Sequence, residues 1–146
     1  MVESYQRIRK EFHKTTRYGY LHLRTFMNDQ YLFSLKKHLI RLSRDLDGEL
    51  LYDELVKRLY ATDASVYRII PLAVAFPKHS DDLKKLILFA QQYSCSLIPR
   101  TAGTSLAGQC VGEGIVVDFS KYFTDIISFD KEKALVTVQP VSYTHL

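Results

Sequence analysis

Leu32, Leu35, Leu39, Leu42 and Leu46 recur at alternating steps of three and four residues. That spacing puts all five on one face of a helix, which predicts a helix whose apolar stripe is either core or partner surface. Asp47-Gly48 breaks the pattern, and Leu51, Leu55, Val56 and Leu59 then predict a second short helix ending near Tyr60. From Val66 the residues Ile69, Ile70, Leu72, Val74 and Phe76 form a β-rich run, interrupted by Pro71 and closed by Pro77. They predict one short, kinked strand. Ser80 followed by Asp81 and Asp82 reads as a helix start, with a capping hydroxyl and acids at the positive end of the dipole; Leu83, Leu86, Ile87, Ala90 and Tyr93 would be its buried face. Strands are predicted at Ser96 to Ile98 and at Ile115 to Phe119. Asp125 to Phe129 and Ala134 to Gln139 flank the polar turn Asp130-Lys131-Glu132-Lys133 as a β-hairpin.

A chain of 146 residues with 47% hydrophobic and 25% charged residues fits one ordinary globular domain and excludes disordered and collagen-like classes. No apolar run reaches the ~18 to 20 residues needed to cross a bilayer, and the front lacks the apolar core of a secretory signal, so a cytoplasmic location is expected. Cys95 and Cys110 show no metal-knuckle spacing and read as packing residues. The five histidines include no pair four apart, so no metal is assigned. The net charge of +4 conceals an asymmetry: residues 1–44 carry ten Lys/Arg against three acids, and residues 45–146 ten against thirteen. With Tyr5, Phe12, Tyr18, Tyr20 and Phe26 interleaved, the front could track a nucleic-acid backbone and stack bases. A solvated basic face is the favoured reading of such a charge run, and no nucleic-acid partner is expected.

The segment with most chemistry is Pro99-Arg100-Thr101-Ala102-Gly103-Thr104-Ser105-Leu106-Ala107-Gly108-Gln109, small and hydroxyl-bearing residues between two predicted strands. Small side chains let an anion approach several backbone N–H groups at once, and the hydroxyls of Thr104 and Ser105 would add donors. Gly103 and Gly108 have the spacing of a nucleoside-triphosphate loop, but Gln109-Cys110 stands where that chemistry needs Lys and then Ser/Thr, and a strand follows instead of a helix. The dinucleotide G-x-G-x-x-G fingerprint is also absent. A plain Gly/Ser turn accounts for this composition equally well.

Three phrases occur in order: TDASVYRIIPLAVAFP, IPRTAGTSLAGQ and VVDFSKYFTDIISFDKEKALVTVQP. Together residues 60–140 resemble the FAD-binding domain of the vanillyl-alcohol-oxidase/p-cresol-methylhydroxylase type, and within it the D-2-hydroxyacid (D-lactate, glycolate, 2-hydroxyglutarate) dehydrogenases. The resemblance implies an FAD pyrophosphate wrapped by Arg100 to Gly108, with the amides of Ala102, Gly103, Thr104, Ser105 and Leu106 as donors. Pro99, Thr101, Gly108 and Gln109 would lie close by, and Val74, Phe76 and Pro77 near the adenine end. Relatives that attach FAD covalently here use a histidine where this sequence has Thr104, so non-covalent FAD is implied. Thr101 and Ala102 replace the glycines usual after the arginine, which keeps the side chains small. The leucine-rich front and ATDASVYR resemble long members that fuse a C-terminal iron–sulfur segment, implying an iron–sulfur cluster and an electron acceptor in the parent protein.

The expected fold is α+β: N-terminal helices over residues 27–62, then the first half of such an FAD-binding domain over residues 63–140. Residues 1–26 are a basic extension resembling nothing recognisable, with Met27 as an alternative start. Val141-Ser142-Tyr143-Thr144-His145-Leu146 resembles a translated sequencing adapter and reads as a non-native, truncating tail. A 2-hydroxyacid substrate is implied for the intact protein, with no catalytic residue assigned in this chain.

Overall fold

The computed structural model describes residues 35–140. The basic extension, its nucleic-acid reading, Leu32 and the tail at 141–146 lie outside them. The chain divides into two compact units, Met1–His38 and Leu39–Leu146, and the fold below is that of the second. The first helix, α1, is described over residues 35–45, of which residues 39–45 belong to that unit. Leu35, Leu39, Leu42 and Leu46 are buried, as their spacing predicts.

After α1 come strand β1 (Glu49–Leu51), helix α2 (Glu54–Leu59), strand β2 (Ala73–Phe76), helix α3 (Ser80–Tyr93), and strands β3 (Leu97–Arg100) and β4 (Ile115–Asp118). A hairpin of β5 (Ile126–Asp130) and β6 (Leu135–Val138) completes the order, so the α+β class holds. The sheet runs β1-β2-β4-β3, with β1 antiparallel to β2, and β4 parallel to both β2 and β3. In register, Val74, Val116 and Ile98 line up across one face, against which Val56, Tyr60 and Phe76 pack. Ala73, Ala75, Ile115 and Val117, alternate to these, are also buried, so both sheet faces are covered, as a parallel sheet requires.

Four expectations need correction. Leu51 belongs to β1, a strand too short to show a period; α2 starts only at Glu54, where the Asp53 side chain accepts from the Val56 amide, and Leu55 and Leu59 are exposed. The strand predicted from Val66 begins at Ala73, because Pro71 lacks an N–H and β4 offers partners only from Ile115 on. The earlier residues make a loop instead, closed by a Thr62–Arg68 bridge and an Ile69 N–H to Ala61 O bond of 2.9 Å, with Val66 95% exposed. The cap of α3 is His79, whose side chain bonds Asp47 and makes no capping hydrogen bond, and not Ser80. The buried face of α3 is Asp82, Leu86 and Phe89, with Ile87 exposed.

Asp82 explains that helix start. Fully buried, its carboxylate accepts from the N–H groups of Lys78 (3.0 Å), Asp47 (3.0 Å) and Gly48 (2.8 Å), tying the α1–β1 connection to the first turn of α3. Burial pushes its pKa up, but these three backbone donors outweigh it and hold the carboxyl below the usual range.

The hairpin has a register shift between Ile126 and Ser128, and the Asp130 carboxylate accepts from the amides of Glu132 and Lys133 in its turn. Ile126, Ile127, Phe129, Leu135 and Val136 are all exposed. Among the described residues no helix is long and apolar enough to cross a membrane.

Asp82→Asn keeps the shape but replaces one acceptor oxygen with a donor facing N–H groups. It should lower stability by about 1–3 kcal/mol in urea unfolding at neutral pH. Because the folded pKa is depressed, the wild-type contribution is present above the ordinary carboxylate pKa and is lost as pH falls through the folded value. The gap between the two proteins should therefore narrow in acid.

Candidate functional site

Parallel strands send their chains out at one edge, and here β2, β3 and β4 end together at Phe76, Arg100 and Asp118. Ligands of open α/β sheets bind outside such carboxyl ends. The loop after β3 leaves from that edge and returns to the start of β4. Pro99 stands in β3, an outer strand of the sheet, where a missing N–H is tolerated.

Within the loop, Ala102, Thr104, Leu106 and Gln109 are exposed, Thr101, Ser105 and Gly108 half-buried, and Gly103 buried. Gly103 and Gly108 take the left-handed conformation, φ 67° and 72°. A Cβ on Gly108 would lie 2.6 Å from Tyr67 Cδ2, and one on Gly103 would lie 2.4 Å from Arg100 Nη2. Among the described residues, none accepts a hydrogen bond from the amides of Thr101 to Leu106. Six consecutive backbone donors are thereby without a partner among the described residues.

The Ser105 hydroxyl is engaged inside the loop, contrary to the expectation that it faces a ligand. It accepts from the amides of Ala107 (3.3 Å) and Gln109 (3.1 Å) and donates to Gln109 Oε1 (3.0 Å). It shapes the turn that returns through Gly108.

Arg100 is also used internally. Its guanidinium lies 5.1 Å from the Tyr60 ring centroid, and Nη1 donates to the Thr62 carbonyl at 2.7 Å. Tyr60 Oη donates to Asp118 Oδ2 at 2.6 Å, while Asp118, almost fully buried, accepts the Ser120 amide on Oδ1 at 2.7 Å. Burial, and then the bond to Asp118, raise the Tyr60 pKa well above its ordinary value, so the hydroxyl remains a donor across the physiological range. Tyr60 also meets Phe76 edge-on, 5.9 Å between centroids. This aromatic and ionic group at the strand ends went unnoticed in the sequence because Tyr60 and Asp118 stand 58 residues apart.

Val74 and Pro77 are fully buried and Phe76 is half-buried, so of these three only Phe76 keeps a partly open side chain. Cys95 and Cys110 are free and half-buried, and burial pushes the Cys95 thiol up. Asp47, His79 and Asp82 bring ligand atoms within 4.8 Å of one another. Three backbone donors already occupy the Asp82 carboxylate, and Lys85 Nζ stands 3.6 Å from it, so the cluster reads as a clamp on the backbone.

These features define an α+β domain presenting, at the carboxyl edge of a parallel sheet, a glycine loop whose amides from Thr101 to Leu106 have no acceptor among the described residues. Residues 71–143, half of the chain, match the FAD binding domain family, and the chain belongs to that family. It is 39% identical over 82 residues to a D-2-hydroxyglutarate dehydrogenase of Escherichia coli (strain K12), covering 54% of this chain and 8% of that protein. It is 32% identical over 84 residues to glycolate oxidase subunit GlcD of Bacillus subtilis (strain 168), covering 56% of this chain and 18% of that one. Among solved structures, Physcomitrella patens BBE-like 1 has a similar fold, with TM-score 0.52 and 20% identity over 64% of this chain and 21% of that one. The chain thus spans a small part of each relative's length.

Alanine at Gly108 meets both left-handed strain and a ring. Gly108→Ala is expected to cost about 1–2 kcal/mol in urea unfolding. Gly103→Ala should cost a similar amount, since its Cβ would meet the Arg100 guanidinium that Thr62 and Tyr60 hold in place.

Proposed function

We propose that this chain grips the FAD pyrophosphate through the amides of Thr101 to Leu106, in a flavoprotein that oxidises a D-2-hydroxyacid to the 2-oxoacid. The observation that carries this is the run of six amides without acceptors among the described residues, inside the segment that matches the FAD binding domain family. The names of the relatives, a D-2-hydroxyglutarate dehydrogenase and a glycolate oxidase subunit, support the substrate class.

When bound, FAD supplies the two-electron acceptor for the substrate hydride. The residues of this chain orient it. Amides from the loop surround the diphosphate, where fixed dipoles stabilise charge without reorganising. Arg100, held over Tyr60, adds positive charge at the loop's start. Thr104 is exposed at the middle of the loop, and a hydroxyl there offers no imidazole for covalent attachment, which favours non-covalent FAD. Pro99, Gly108 and Gln109 frame the loop, and Phe76 and Pro77 stand at the neighbouring strand end. The same reading includes an electron acceptor for the reduced cofactor, an iron–sulfur segment in the parent chain, and a cytoplasmic location with peripheral membrane attachment. It gives these 146 residues one wall of the cofactor site and no substrate contact.

Titration of FAD into the purified chain, followed by flavin fluorescence, should show weak saturable binding that ADP displaces, and D-2-hydroxyacids should not be turned over. Thr104→Asp places a carboxylate at an exposed loop position, so the fold should survive while affinity falls at least about tenfold through repulsion of the diphosphate. Absence of saturable binding, or binding indifferent to Thr104→Asp, would sink the reading.

A further inference from the structure

The loop is held by more than its own Ser105 hydrogen bonds. It is tied at four points to one short upstream segment, which lies before the residues matched by the family model. Arg100 Nη1 donates to Thr62 O at 2.7 Å. The Ala64 amide donates to Gly103 O at 3.1 Å. The Cys110 amide donates to Asp63 Oδ2 at 3.4 Å. The Tyr67 ring lies where a side chain on Gly108 would go. The ties therefore fall on positions 100, 103, 108 and 110, before, within and after the free amides.

The segment is in turn closed on itself. The Thr62–Arg68 bridge and the Ile69 N–H to Ala61 O bond join its two ends. Inside it, Asp63 Oδ1 accepts both the amide (2.9 Å) and the hydroxyl of Ser65, and Ser65 Oγ accepts the Tyr67 amide at 3.1 Å. One carboxylate thus faces inward to its own turn and outward to the loop.

We propose that residues Thr62 to Tyr67 are a positioning latch for the anion-binding loop, with Asp63 as its central residue and Ser65 orienting that carboxylate. The latch aligns the amides of Thr101 to Leu106 before a diphosphate arrives, so that binding does not have to include the cost of ordering the loop. This rests on the reading of the loop given above. The Ser65 hydroxyl, foremost among several hydrogen bonds, holds the Asp63 carboxyl below the usual carboxylate range, so at neutral pH it is ionised and accepts only. An isosteric amide cannot do the same, because its NH2 would meet either the Ser65 or the Cys110 donor.

The test uses the full 146-residue chain with ADP as probe, measured by calorimetry, together with urea unfolding and amide exchange by NMR. Asp63→Asn should weaken ADP binding about tenfold, speed exchange at Cys110 and leave the urea midpoint nearly unchanged. Ser65→Ala should act in the same direction, and Ser65→Thr, which keeps the hydroxyl, should restore binding. Should Asp63→Asn fail to fold, the Ser65 pair decides. If the wild type binds ADP and the Asp63 and Ser65 variants bind it equally well, the latch is wrong and the loop assignment stands. If the wild type binds neither ADP nor FAD, the loop assignment falls and takes the latch with it.

Discussion

Strand β4 is the constraint on which the rest depends. Its four residues are all buried, hydrogen-bonded to a parallel neighbour on each side. A central parallel strand has no exposed edge or face on which to place polar side chains, so Ile115, Val116 and Val117 must be apolar, and the first polar position is the exit, Asp118. Parallel pairing also dictates where the chain turns. β2, β3 and β4 finish on the same side, which is why Phe76, Arg100 and Asp118, far apart in sequence, end as neighbours around Tyr60.

The connections are organised by carboxylates that capture backbone N–H groups. Asp82 holds three donors between α1, β1 and α3; Asp63 holds Ser65 and Cys110; Asp118 takes Ser120; Asp130 takes two amides in the hairpin turn. Each binds short loops that lack ladder partners, and each is a charge-assisted bond of the stronger kind. The contrast with the stretch after Arg100 is informative. There no such carboxylate intrudes among the free amides, and negative charge stays at the margins, on Asp63 and Asp118.

Much of this was readable from residue order alone. The leucine stripe from Leu35 to Leu46, α3, the strands on either side of the loop and the β5–β6 hairpin follow from periodicity and turn residues, and the loop from its small and hydroxyl side chains. What escaped has a shared cause. β1 was hidden because Leu51 suits helical spacing as well as strand, and only pairing with Val74 decides between them. The residues from Val66 favour β structure, yet before Ala73 they find only an isolated bridge and single backbone bonds, with no strand to pair along. By local pattern the Ser80 hydroxyl suits the cap of α3, while the residue that matters, Asp82, bonds across 34 and 35 residues. Ser105 looked like a ligand donor because its role within the loop depends on how Gln109 folds back. Contacts that exist only in the folded chain, invisible to local pattern, made each of these choices.

The β5–β6 ribbon has a different consequence. Among the described residues, the two strands leave Ile126, Ile127, Phe129, Leu135 and Val136 exposed and both outer edges unpaired. An isolated two-stranded ribbon is marginal in water, and open apolar edges are templates for pairing with other chains. The register shift beside Ile127 twists the strand locally, and the charged turn Asp130-Lys131-Glu132-Lys133 caps one end, but neither protects the middle. These five side chains therefore give the ribbon a surface suited to association with another chain, however stable the four-stranded sheet is.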